Sequence, residues 1–290
     1  MFDRILVPTD GSDTAEAGAE AAIVLARQFD AELHVVHVFE PNERPPDEDE
    51  GEEMRSHRSE EAANVVAEMA ADADVKTTVA VLESDGSVHE DVLDYAAEHG
   101  VDCIVMGTTG RTGLNRYVFG NVAEKTIRES PIPVVTVHED TTIDSAFDSI
   151  LIPTDGSDYA QAAANHAIEL ALATEAALHI VHVVDVGVVT GSVNTAAILD
   201  ALEEAGEQAL QEVIDQAEEA GVSVIEATVL GGSPYRAIVK YADEHDIDLL
   251  AMGTHGRTGV DRYFLGSVTE RVVRRTEVPV LVVSIPGRAD

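Results

Sequence analysis

Two glycine-rich stretches hold the residues best able to do chemistry. They are Met252-Gly-Thr-His-Gly-Arg-Thr-Gly-Val-Asp-Arg-Tyr-Phe-Leu-Gly-Ser-Val-Thr269 and its earlier copy, Met106-Gly-Thr-Thr-Gly-Arg-Thr-Gly-Leu-Asn-Arg-Tyr-Val-Phe-Gly-Asn-Val-Ala123. A short apolar run precedes each and a helical pattern follows, with Ser267 expected as the N-cap of the second helix. Gly253, Gly256 and Gly266 mark places where the backbone turns sharply or approaches something closely. Bare amides facing a helix N-terminus form a site for phosphate. A second element also recurs: Ile5-Leu-Val-Pro-Thr-Asp-Gly-Ser-Asp13 returns as Ile150-Leu-Ile-Pro-Thr-Asp-Gly-Ser-Asp158. Asp10 and Asp155, each ending a strand, could accept hydrogen bonds from ribose hydroxyls while the glycine-loop amides hold phosphate. The competing reading is a tight turn with the aspartate as its Asx cap.

Other chemistries find less support. No Gly-x-x-x-x-Gly-Lys-Ser/Thr occurs, and no Gly-x-Gly-x-x-Gly follows the first strand, so the two familiar phosphate loops are absent. His34 and His37, like His179 and His182, are three apart on a strand, face opposite sides and cannot jointly bind one metal. His255 lies inside the glycine loop, but its counterpart is Thr109, and it reads as a loop residue of no special role. No nucleophile–base–acid set, Cys/His cluster or paired-carboxylate motif is legible. The single Cys103 sits in an apolar run and reads as a buried, inert thiol.

The elements that must position these residues follow a βαβ alternation. Strands are expected at Ile5–Val7, Glu32–Phe39, Lys76–Leu82, Cys103–Met106 and Val134–Val137. Helices are expected up to Phe29, over Ser59–Ala73, Val88–His99 and Val122–Glu129. The stretch Glu40–Glu53, rich in acids and prolines, reads as a solvated loop. The second half repeats the order, with strands near Ile150 and at Ala177–Val184, Ser223–Leu230, Leu249–Met252 and Val280–Val283. Its loop after the second strand is instead rich in Gly and Val, at Gly187–Gly191. A repeat this long is a duplicated domain, giving domains at 1–140 and 148–290 with a polar linker at 141–147.

The formal net charge is -37, from 55 acidic and 18 basic residues, of which only Lys76, Lys125 and Lys240 are lysines. Such a field repels nucleic acid and anionic membranes. Acid-rich, lysine-poor composition with an ordinary apolar fraction points to a folded protein adapted to high salt, where screening suppresses self-repulsion. The chain shows no signal peptide and no membrane-length apolar stretch, so a soluble, cytoplasmic protein is expected.

The spacing Gly-x2-Gly-x9-Gly-Ser at Gly253, Gly256, Gly266 and Ser267, together with the Pro-Thr-Asp-Gly-Ser turn, resembles the universal stress protein family in tandem form. The resemblance extends over nearly the whole chain, is of the ATP-binding type, and with the acidic composition suggests a haloarchaeal source. It implies an α/β fold of two tandem doubly wound domains, each a five-stranded parallel sheet in the order 3-2-1-4-5 with flanking helices. It also implies an ATP site, with Mg2+ or Mn2+ riding on the phosphates, since a chain this acidic needs local cations to bind a polyanion.

Carried over by position, the resemblance puts Asp155 at the ribose, Pro153 and Thr154 beside the nucleotide, and the Val183 backbone at the adenine. Gly253, Gly256, Gly266, Ser267, Val268 and Thr269 would surround the phosphates, and Met252 and Arg257 are further nucleotide-binding candidates. The first-half positions are Pro8, Thr9, Asp10, Val38, Met106, Gly107, Gly110, Arg111, Gly120, Asn121, Val122 and Ala123. There Asn121 replaces a hydroxyl residue and Ala123 a second one; asparagine can cap a helix but mimics a metal-facing hydroxyl poorly. The second half is therefore expected to bind ATP more tightly. Arg111 and Arg116, with Arg257 and Arg262 in the copy, are the nearby cations, and surface solubility is the competing role of all four. The resemblance also implies pairing of Val134–Val137 with Val280–Val283 in an internal pseudo-dimer, and further dimerisation is open.

Three function classes stay in play: a nucleotide-binding stress or regulatory module, a slow ATPase or phosphoryl/nucleotidyl transferase, and a non-binding structural pseudo-dimer. The first leads, because no catalytic base or nucleophile can be assigned.

Overall fold

The structure, a computed structural model, describes residues 1–40, 52–84, 86–109, 120–141, 147–185, 195–256 and 265–285. The chain divides into two compact units, Phe2–Ile143 and Asp144–Asp290. In the first, β1 (Arg4–Pro8), α1 (Asp13–Phe29), β2 (Glu32–Phe39), α2 (Glu52–Asp72) and β3 (Thr77–Glu83) are followed by α3 (Val88–His99), β4 (Cys103–Gly107), α4 (Asn121–Glu129) and β5 (Val134–Val137). The second unit runs β6 (Ser149–Pro153), α5 (Asp158–Thr174), β7 (Ala177–Val184), α6 (Thr195–Ala220), β8 (Ile225–Gly231), α7 (Pro234–Glu244), β9 (Leu249–Gly253), α8 (Ser267–Val273) and β10 (Val280–Val283).

Every strand pairing within a unit is parallel. The order is β3-β2-β1-β4-β5 in the first and β8-β7-β6-β9-β10 in the second, the doubly wound arrangement implied by the resemblance. Parallel strands covered on both faces are apolar without alternation, and Ile5, Leu6, Val7, Ile104 and Val105 are wholly buried, as are Ile150, Leu151, Ile152, Leu250 and Ala251. In each unit the chain leaves the central strand to one side and returns to its other side, so a crevice opens at the carboxyl ends of β1 and β4, and of β6 and β9.

The structure corrects several boundaries. Helix α2 begins at Glu52, seven residues before the expected Ser59, so the end of the acidic stretch is helical; glutamate is a good helix former and suits a helix N-terminus. The rest of that stretch, from Pro41, and the loop at 187–191 lie outside the described residues. β3 and β8 start at Thr77 and Ile225 rather than Lys76 and Ser223, because the partners of Leu33 and Leu178 set their register. The linker expected through residue 147 ends too late. Phe147 is 1% exposed, and Asp248 Oδ2 accepts the amides of Asp148 and Ser149 at 2.9 and 2.8 Å. Phe2 is likewise buried, and Asp102 serves Asp3 and Arg4 in the same way. Each unit therefore opens on a core phenylalanine. Among the described residues no helix is long and apolar enough to cross a membrane.

Candidate nucleotide site

The turn after the central strand is built twice from the same local bonds. Asp10 Oδ1 accepts the Ser12 amide at 3.0 Å and its hydroxyl at 2.6 Å, while Asp155 Oδ1 accepts the Ser157 amide at 3.0 Å. Thr9 and Thr154 accept the amides of Gly11 and Gly156 at 3.2 and 3.1 Å. Those two glycines have φ of 73° and 74°, left-handed geometry that disfavours a side chain. Ser12 and Ser157 then cap α1 and α5 by accepting from Ala15 and Ala160. The Asx turn is thus present at both aspartates, which still stand half-exposed at the crevice.

The glycine stretches combine packing with closure. A β-carbon on Gly253 would lie 2.6 Å from the carbonyl carbon and oxygen of Tyr159, and one on Gly107 would lie 2.6 Å from the Thr14 oxygen. These two glycines let the strand end touch the first turn of α5 or α1. The Gly266 amide donates to the Thr254 carbonyl at 2.8 Å, and Gly120 to Thr108 at 2.7 Å, pinning the base of each loop. Those amides serve loop closure. Gly256 is different: a β-carbon there would stand 2.5 Å from Asp155 Oδ2. The loop after β9 and the turn after β6 therefore meet at the switch in strand order, where sheets of this kind bind ligands. Gly110, the first-half counterpart, lies outside the described residues, as do Arg111, Arg116, Arg257 and Arg262.

Three expectations about the following helices change. Ser267 and Asn121 are the first helical residues, and Gly266 and Gly120 are the N-caps, neither helix having a side-chain cap bond. The glycine carbonyls accept from Glu270 and Glu124 at 2.8 and 2.9 Å, leaving the amides of 267–269 and 121–123 ahead of the first helical bond. The Thr269 hydroxyl donates to the Gly253 carbonyl at 2.8 Å in a buried position, so it ties helix to strand and does not face the crevice. Ala123 is buried at the matching place. Met106 and Met252 place their side chains in the core. Pro8, Val38, Val122, Pro153, Val183 and Val268 are half-buried.

Comparing the copies position by position shows differences the motifs hide. A cavity of about 410 Å3 opens beside the first-half turn, lined by Thr9, Gly11, Ser12, Glu16, Glu61 and Val65. Two carboxylates there oppose a phosphate. In the second unit Gln161 takes the place of Glu16. Gln208 takes that of Glu61 when the helices are aligned on Ala70 and Ala217, whose carbonyls accept from Val75 and Val222. Where Thr14 and Thr109 share a hydroxyl hydrogen bond of 3.0 Å, the second unit has the rings of Tyr159 and His255 at 5.1 Å. His255 Nδ1 meets Thr254 Oγ1 at 3.1 Å, and its buried Nε2 has no partner among the described residues. His255 thus packs against Tyr159 and bonds Thr254; reading Tyr159 and His255 together as a changed pair would have exposed this contact.

The family model described as universal stress protein family matches residues 1–138 and again 146–284. The chain belongs to the universal stress protein family. The universal stress protein MJ0531 of Methanocaldococcus jannaschii is 42% identical over 148 residues, covering 50% of this chain and 86% of that protein. A universal stress protein of Thermus aquaticus is 36% identical over 137 residues, covering 47% and 99%. The crystal structure of a universal stress protein from Archaeoglobus fulgidus matches with a TM-score of 0.71 at 25% identity, covering 97% of this chain and 96% of the other.

Within this universal stress protein His34, His179 and His182 serve the scaffold. His34 and His179 face α3 and α7, where their Nδ1 atoms meet Tyr95 and Tyr241 hydroxyls at 3.0 and 3.1 Å. His182 lies on the other face, its Nδ1 2.9 Å from the Thr154 carbonyl and its ring against Gly206 of α6. Among the described residues no group of three His, Cys, Asp or Glu side chains could hold a metal.

Proposed function

We propose that this chain is a nucleotide-binding stress-response or regulatory module that takes ATP with Mg2+ or Mn2+, and does so more tightly in its second unit. The approach of Gly256 to Asp155 carries the reading, because it brings a glycine-loop backbone and an aspartate to one crevice. Asp155 would accept from the ribose, and the amides of Ser267, Val268 and Thr269 would face phosphate. The bound cation would supply positive charge to the phosphates that the chain's own net charge of -37 withholds. Replacement of Glu16 and Glu61 by Gln161 and Gln208 removes two negative charges from the second crevice, which favours the anion there. The buried His255 Nε2, without a partner among the described residues, is one more polar atom that a ligand would engage in that unit.

Protein purified in molar KCl is denatured and the released nucleotide is identified and counted by chromatography. About one equivalent of adenine nucleotide per chain, abolished by Gly256→Val and retained in Gly110→Val, is the expected result; equal losses overturn the assignment to the second unit. Released ATP supports a stable nucleotide-bound module. Released ADP, with steady phosphate production abolished by Asp155→Ala, favours the slow hydrolase instead. A protein that holds no nucleotide and fails to take up Mg-ATP overturns the reading in favour of a structural role.

A further inference from the structure

The duplicated fold supplies its own control, and at one place charge reverses between the copies. In the first unit His89 is buried in the first turn of α3, with Ser87 Oγ 2.5 Å from Nδ1 and Glu129 Oε2 3.2 Å from Nε2. Arg128 pairs with the same carboxylate. In the second unit Tyr235 stands for His89, Arg236 for Glu90, Arg271 for Lys125 and Arg275 for Glu129. Two carboxylates have become two guanidinium groups.

These cations converge on one ring. The guanidinium carbons of Arg236, Arg271 and Arg275 lie 5.6, 5.4 and 5.4 Å from the Tyr235 centroid, and Arg236 Nε donates to the phenol oxygen at 2.9 Å. All three arginines are exposed, and among the described residues none is paired with a carboxylate. The neighbouring Glu270 is already held by Arg274 at 2.7 Å. Like charges this close repel, and they gather here in a chain with 18 basic against 55 acidic residues. The hydrogen bond from Arg236, reinforced by the surrounding guanidiniums, holds the Tyr235 phenol below its usual range, so negative charge is welcome there. Tyrosine and arginine are also the types that dominate interface energetics, and a guanidinium fork matches a carboxylate edge to edge.

We propose that the α7–α8 face around Tyr235 docks an acidic segment of a partner protein, whose carboxylates pair with Arg236, Arg271 and Arg275. Carboxylate is the group that complements three guanidiniums gathered on one ring with no carboxylate partner among the described residues. Nucleic acid fits poorly, since cations gathered on one ring do not track a regular row of phosphates and the net charge repels a long polyanion. The same charge gives docking a signature. Screening shortens from about 10 Å at 0.1 M salt to about 3 Å at 1 M, so salt removes the remote repulsion more completely than the contact pairs. Affinity therefore rises between low and molar KCl.

Fluorescence anisotropy of a fluorescein-labelled hexaglutamate peptide with the full chain, from 0.05 to 2 M KCl, tests this. Saturable binding is expected that strengthens with salt and weakens at least tenfold in R236E/R275E, the variant carrying first-unit charges. Arg275→Gln weakens it less, and Arg27→Glu, on the exposed face of α1, leaves it unchanged. Unchanged circular dichroism shows that the variants fold; should the double variant not fold, Arg275→Gln alone decides. Binding that R27E weakens as much as R275Q, or no binding at any salt, overturns the proposal. Tighter binding of an oligothymidylate of equal charge also overturns it. A dimer that dissociates in R236E/R275E supports it and identifies the acidic partner as a second copy.

Discussion

Gly256 and Asp155 lie 101 positions apart in a chain whose fold brings them together closely enough that a β-carbon on the glycine would stand 2.5 Å from Asp155 Oδ2. Below 3 Å a side chain must displace something, and here it would push the carboxylate out of its position beside the Ser157 amide. Gly256→Val should lower nucleotide affinity by about tenfold or more, equivalent to ~1.4 kcal/mol, with little change in thermal midpoint. Isothermal titration of Mg-ATP and a melting curve check both halves of the statement.

Gly253 and Gly107 should behave in the opposite way. Their missing β-carbons point at backbone atoms of Tyr159 and Thr14, 2.6 Å away, and backbone cannot rotate aside. Alanine at either position should destabilise its unit by about 1–3 kcal/mol. Urea unfolding in molar KCl measures this, and a change under about 0.5 kcal/mol would show that the strand and helix separate easily.

Acid should weaken both units through a paired device. His34 and His179 are buried, and burial above all lowers their imidazole pKa, partly offset by Glu32 and Glu226. His99, Arg4 and Lys76 around the first, and His245 near the second, push the same way as burial. The folded state then binds fewer protons than the unfolded chain. The stabilisation is complete above the unfolded value of about 6.5 and is lost as pH falls below it toward the folded value. The stability of the wild type minus that of H34Q/H179Q should therefore shrink between about pH 7.5 and 5.5. A difference that stays flat would show that neither imidazole titrates on unfolding.

Cys103 should be silent in the native protein. Its thiol is fully buried and pushed up to about 12 by desolvation, so almost no thiolate exists at neutral pH. Iodoacetamide at pH 8 should label it only after denaturation, read by intact mass.

Much of this protein is determined by residues close together in sequence. Apolar runs such as Ile150–Ile152 identify buried parallel strands, and the turns Thr9–Ser12 and Thr154–Ser157 form from their own side chains. The glycine spacing and the duplication were sufficient to indicate the family and the strand order. Helix ends were less legible, because Ser267 and Asn121 look like caps until the bonds from Gly266 to Thr254 and from Gly120 to Thr108 are seen.

Only the tertiary structure decides what the repeated residues touch. It places Gly256 on Asp155, sends the Thr269 hydroxyl to Gly253, opposes Glu16 to Glu61, and gathers Arg236, Arg271 and Arg275 around Tyr235. Period and turn chemistry are local and repeat faithfully in both halves. Contact and electrostatics join residues that are distant in sequence, and there one substitution such as Glu129 to Arg275 alters a surface without disturbing the pattern that folds it.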